Sequence, residues 1–288
     1  MSQRWWLILG ALVLIGISSG ASILIYTTVV GGTGEPSAPI SAPTLDLSTP
    51  TPDPREAEIA RLSTEVARLA AENAALSTAA AVEAAATVEL AATEEATSEV
   101  TATPEAAAVL FRIVPDESEV RFILTEDLRG APTTVIGKTD QVAGEILVDF
   151  ATPGSTRMGV IRINARTLAT DNDFRNRAIR GEILQSSQDK YEFSEFTPTE
   201  LIGLPETVAV GDTISFQIIG DLKVRDITQT VTFEATVTVV SEDRLEGSAK
   251  TTVQRADYDL VIPSVPGVAN VSEAVNLEID FVAARADA

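Results

Sequence analysis

The sequence predicts an all-β domain of short antiparallel strands over residues 109–288, set behind a membrane anchor and a short helix. Three observations predict it. Nearly all the β-branched and aromatic strand material of the 288 residues lies from Val109 onward. There apolar and polar residues alternate with period two, the pattern of strands with one dry face. Turn signals separate the runs, at Thr152-Pro153-Gly154, Gly211-Asp212 and Glu246-Gly247. Before Val109, Ala, Thr, Ser, Pro and Glu dominate, and aromatic residues are nearly lacking after Tyr26.

Composition removes most chemistries. The chain has 42 Asp and Glu against 21 Lys and Arg; 13 of those acids and 4 of those bases precede residue 109, so the C-terminal domain carries a net −12. Such a surface stays soluble and repels nucleic acid and anionic membrane, so no nucleic-acid partner is expected. Cysteine and histidine are both absent. Disulfides, a lipobox cysteine, thiol nucleophiles and His-based triads are thereby excluded, as are the usual zinc, haem and blue-copper ligands. The expectation is no metal, no cofactor and no catalytic residue. Carboxylate pairs such as Asp171/Asp173 and Asp257/Asp259 would point to opposite faces of a strand, and only in a turn could they form a weak cation site.

Residues 1–30 read as a short cytoplasmic N-terminus and a transmembrane signal anchor. Trp5 to Val30 is free of charge. As a helix it would be about 39 Å long, enough for a ~30 Å hydrocarbon core. Trp5, Trp6 and Tyr26 stand where interfacial aromatics belong, and Arg4 on the N-terminal side orients the chain with the C-terminal domain extracytoplasmic. The alternative is a cleaved signal at Ser18–Ser22 and a secreted product, although Ile23-Leu24-Ile25-Tyr26 resumes the apolar run.

Residues 31–53, rich in Pro, Gly, Ser and Thr, read as an extended, unpacked linker. Asp53-Pro54-Arg55-Glu56 then has the N-cap, first-turn proline and capping-box spacing of a helix start. Residues 54–82 follow as a coiled-coil helix, with Ile59, Val66 and Asn73 at a and Leu62, Leu69 and Leu76 at d. That pattern favours a parallel homodimer through residues 59–76. A lone Ala-rich helix is the alternative. Residues 83–108, rich in Ala, Thr and Glu, read as a flexible acidic stalk.

Within the domain, Val120, Phe122 and Leu124 share a face, as do Ile146, Val148 and Phe150, and then Ile214, Phe216 and Ile218. Val231, Phe233, Ala235, Val237 and Val239 form a longer run, and Leu277, Ile279 and Phe281 close the series. Phe174 to Leu184 breaks the alternation and suggests a short helix or lid. Periodicity alone leaves a sandwich and a closed barrel open.

Six motifs in order carry a resemblance. Phe111-Arg112-Ile113-Val114-Pro115-Asp116-Glu117-Ser118 looks like a first strand, and Val142-Ala143-Gly144-Glu145-Ile146 like an "x-G-x-I" strand entry. Thr170-Asp171-Asn172 leads into Arg175-Asn176-Arg177-Ala178-Ile179, where Arg-Asp-x-His-Leu is typical. Tyr191 to Phe196 stands for a Tyr-Pro…Phe strand, with Glu192 in place of proline. Leu222-Lys223-Val224-Arg225-Asp226-Ile227-Thr228 matches Leu-Thr-Ile-x-Gly-Val-Thr, and Arg255-Ala256-Asp257-Tyr258-Asp259-Leu260 matches Arg-x-Asp-Phe-Gly-Leu. Over roughly residues 111–284 the chain resembles the YceI-like family. The resemblance implies an antiparallel lipocalin-like β-barrel with a short helical segment, binding a polyisoprenoid or other long-chain lipid without catalysis.

On that barrel, Val120, Phe122, Leu124, Phe196, Phe216, Ile218, Phe233 and Phe281 are the expected lining of an apolar tunnel. Arg175 and Arg255 are candidates for its mouth or for structural ion pairs. A barrel of this size is about wide enough either to pack solid or to hold one slender ligand. The expected function is a membrane-tethered extracytoplasmic lipid carrier. The alternative is a solid barrel displayed on a dimeric stalk as an interaction module.

Overall fold

The computed structural model of the protein describes residues 32–46 and 108–286. The anchor, the coiled-coil helix and the acidic stalk lie outside the described residues, and among those described no helix is long and apolar enough to cross a membrane.

The domain is one antiparallel sheet curled on itself. β1 (Val109–Ile113) and β2 (Glu119–Leu128) lie end to end along one edge of β13 (Ala274–Arg285), whose other edge carries β11 (Arg244–Gln254). From β11 the order runs through β10 (Ile227–Ser241), β9 (Thr213–Val224) and β8 (Phe193–Ile202) to β7 (Ile161–Asn164). β7 pairs with β4 (Val142–Ala143), and β5 (Glu145–Val148) pairs with β1 and with β6 (Arg157–Met158). The two ends of the path therefore meet across Gly144. A Cβ there would lie 2.4 Å from Ile161 Cδ1, so only glycine permits the close approach.

Local chemistry fixes the register. β3 (Ala131–Thr139) returns along β2 through Arg129-Gly130, both in the left-handed region that a two-residue hairpin turn of matching twist requires. β12 (Val268–Ala269) adds a short rung on the end of β2. Helix α1 (Asp173–Ala178) starts at Asn172, whose side chain accepts from the amides of Phe174 and Arg175, and it continues as a single π-turn over Ile179–Ile183.

Two apolar clusters fill the inside. One, around Ile113, Val142, Phe196, Ile218, Leu222 and Tyr258, occupies the end nearer α1. The other, around Phe111, Ile146, Val239, Leu245 and Ala283, plugs the opposite end.

Residues 32–45 correct the expectation of an unpacked linker over that stretch, because they lie against the domain as a strap. Buried Glu192 accepts from the Ser37 amide at 2.8 Å and from Ser37 Oγ at 2.6 Å. Buried Glu145 accepts from the Leu45 amide at 2.7 Å, and Arg162 donates to the Ser41 carbonyl at 3.0 Å. The reason is charge. Two carboxylates on the barrel wall need donors, and a Pro- and Ser-rich extended segment leaves its amides free to supply them.

Candidate ligand cavity

The curled sheet encloses an apolar cavity of about 270 Å³. Val120, Phe122 and Leu124 on β2, Phe196 on β8, Ile218 on β9, Phe233 on β10 and Phe281 on β13 all line it. Phe216 does not. Two residues farther along β9 than Ile218, it reaches the plugged end, where it lines a separate space of about 60 Å³ with Phe281 and Val237. Period two places Phe216 on the same face as Ile218, but depth along the sheet is not encoded in that period.

Three of the lining rings lie over glycines of the neighbouring strand, an arrangement that period two alone does not reveal. A Cβ at Gly137 would come within 2.2 Å of the Phe122 ring, one at Gly220 within 2.6 Å of Phe196, and one at Gly247 within 2.8 Å of Phe281. Phe122 is the cross-strand partner of Gly137, and Phe281 of Gly247. Each ring thus covers a glycine instead of standing upright into the lumen, which keeps the lumen open. A glycine inside a strand pattern is the available signal, but it needs the register before it can be read.

The charged groups at the cavity are paired. Arg175 donates to Glu126 Oε1 at 2.8 Å and to Asp171 Oδ1 at 2.7 Å, tying α1 to the end of β2. Arg255 donates to the carbonyls of Ser272 and Leu260 at 2.8 and 3.0 Å and to Glu273 Oε1 at 2.6 Å. Both arginines line the cavity, yet their heads clamp the segments that close it. Tyr258, 1% exposed, also lines it, and its hydroxyl has no partner among the described residues. Burial first, and the neighbouring Asp257 charge second, push that phenol up to about 12.

Two segments close the cavity at the α1 end. Ile179, Ile183 and Leu184 cover it from the π-turn, and Leu260 and Ile262 from the loop after Tyr258. Arg225, in the β9–β10 turn, holds the first through the Ile183 carbonyl at 3.0 Å. Gln229, at the start of β10, holds the Arg255–Tyr258 turn that leads into the second, through the Asp257 carbonyl at 2.8 Å.

A family model described as a YceI-like domain matches residues 111–283. Among solved structures, a polyisoprenoid binding domain from Saccharophagus degradans implicated in plant cell wall breakdown is similar at 15% identity and a TM-score of 0.45, covering 62% of this chain and 99% of that one. BcnA from Burkholderia cenocepacia is similar at 14% identity and a TM-score of 0.46, covering 59% and 98%. A YceI protein from Campylobacter jejuni is similar at 15% identity and a TM-score of 0.41, covering 51% and 82%. Comparison with curated proteins found no match.

Proposed function

The chain belongs to the YceI-like family, and from that premise we propose that it holds one slender long-chain lipid, of polyisoprenoid type, in the cavity inside its sheet. The observation that carries this reading is the cavity itself: about 270 Å³, walled by Val120, Phe122, Leu124, Phe196, Ile218 and Phe233. A space so lined favours an alkyl or isoprenyl chain by roughly 0.8 kcal/mol per buried CH₂ and needs few polar groups to do so.

The sequence supports the rest of the reading. Residues 1–30 act as a retained anchor, the domain stands on the extracytoplasmic side, and residues 59–76 pair two copies in parallel. An anchored carrier meets its lipid in the plane from which that lipid must be drawn. The test is organic extraction of the full-length protein, purified from its host membranes, followed by mass spectrometry. A near-stoichiometric long-chain lipid is the expected result. An empty protein would sink the carrier and leave a filled barrel that serves as an interaction module.

A further inference from the structure

The two segments that close the cavity also carry most of the apolar side chains exposed at that end. Phe174 on α1 is 72% exposed, and Val261 and Val265 in the loop after Tyr258 are 75% and 44% exposed. These belong to one end of the barrel. The end of β2 meets α1 through Glu126 and Arg175, and meets the second loop through β12, through Asn270 on Asp127 at 2.6 Å and through the Arg129 amide on the Gly267 carbonyl at 2.6 Å.

Charge sets the same end apart. Residues 171–190 hold four acids and four bases, on a domain whose net charge is −12. Arg177 lies over the Phe174 ring at 4.7 Å, so part of that balance sits beside the exposed aromatic. A charge-balanced α1 segment and a 260–267 loop free of charge can touch a bilayer with less of the repulsion that the rest of the acidic surface would meet.

The strap supplies the position. Gly32 packs on Ser187, where a Cβ would lie 3.3 Å from Ser187 Cβ. Gly34 packs on the Arg180 guanidinium of the π-turn. Gly32 is two residues beyond Val30, the end of the uncharged run from Trp5. With so short a connection, the α1 end of the barrel has to lie beside the point where that run ends, at a few ångströms per residue of reach.

We propose that the end closed by α1 and the 260–267 loop docks on the outer surface of the lipid bilayer, with Phe174, Val261 and Val265 as its inserted side chains. This rests on the anchored-carrier reading and adds its orientation: the cavity faces the membrane and does not stand away from it on a stalk. Lipid then enters between α1 and the loop without crossing water.

The chain has no cysteine, so single labelling sites can be placed at will. Full-length F174C, V261C and V265C, each carrying an environment-sensitive fluorophore, are mixed with zwitterionic phosphatidylcholine vesicles containing a shallow spin-labelled quencher. V210C, exposed at the plugged end beside the Gly211–Val239 contact, is the comparison. A blue shift and loss of fluorescence at positions 174, 261 and 265, with none at 210, is expected, and it should persist in high salt. Three sites on two segments keep the readout available should one substitution disturb folding. Co-flotation of the chain with vesicles reads the anchor separately. Flotation with all four labels equally unquenched overturns the docking and leaves the anchor standing. Quenching at the three sites without stable flotation supports docking and removes the anchor. Neither signal overturns both.

Discussion

A buried hydroxyl without a partner costs about 1–3 kcal/mol, and Tyr258 carries such a group where the matching family motif has phenylalanine. Tyr258→Phe should therefore raise the unfolding free energy by about 1 kcal/mol or more, seen as a higher urea midpoint at unchanged slope; a loss of stability would mean that the hydroxyl has found a partner in solution. The glycines under the rings act in the opposite sense. Gly137→Ala places a Cβ where the Phe122 ring lies, and overpacking of this kind costs about 1–3 kcal/mol. The ring must then swing toward the lumen, so the lipid recovered per protein should fall while the sheet persists by circular dichroism. If recovery is unchanged, Phe122 does not border the ligand. Arg175→Met leaves buried Glu126 without its guanidinium and should destabilise by about 2–4 kcal/mol, the largely buried pair being partly screened by water. Adding Glu126→Gln should recover most of that loss.

At the scale of elements, the strands were legible and the strap was not. Period two located β2, β5, β9, β10 and β13 because each has one face against the cavity and one against water, and that asymmetry is written directly in residue type. The break at Phe174–Leu184 was legible for the same reason, since Ile179, Ile183 and Leu184 follow helical spacing. Residues 32–45 have linker composition, and their docking uses the backbone amides of Ser37 and Leu45, which no composition records. Glu192 was visible only as an acid in the place of a proline. It and Glu145 now make the strap sensitive to pH. Burial by itself would raise both carboxyls. At Glu192 the hydrogen bonds from Ser37, then Asn164 and the Arg166 charge, outweigh it; at Glu145 the Leu45 amide and then Arg112 do so, and both groups stay below the ordinary carboxylate range. A depressed folded pKa gives stability that is complete above the unfolded value of about 4.3 and is lost as pH falls through the folded one. The Ser37 and Leu45 amide resonances should accordingly move to unfolded-like positions as pH falls below the ordinary carboxylate range and the two carboxyls take up protons, while β-strand resonances hold. Native shifts for both after the two carboxyls have taken up protons, as followed by their own side-chain resonances, would show that something other than these carboxylates docks the strap.

For the whole molecule, the strap makes the barrel wall a composite of segments 100 and more residues apart: Ser37 sits on Glu192 and Leu45 on Glu145. A chain cut to begin at Val109 would keep every strand and still lose three donors to two buried carboxylates. Asn164 at 2.9 Å and Arg166 at 3.3 Å would remain to Glu192, and Arg112 at 2.9 Å to Glu145. Water would replace the missing donors once the strap no longer covers them, so the cost should not be the full desolvation of two charges. With the ordering of the strap set against its contacts, the truncated chain should be less stable than residues 31–288 by about 1.5–3 kcal/mol, the net worth of a hydrogen bond to a charged group. The same comparison in an E145Q/E192Q background isolates the coupling, because the truncation should then cost little. If it costs as much there as in the native sequence, the strap stabilises the barrel by covering apolar wall, with Leu45 beside Gly159 as the contact to examine, and acid should not release it.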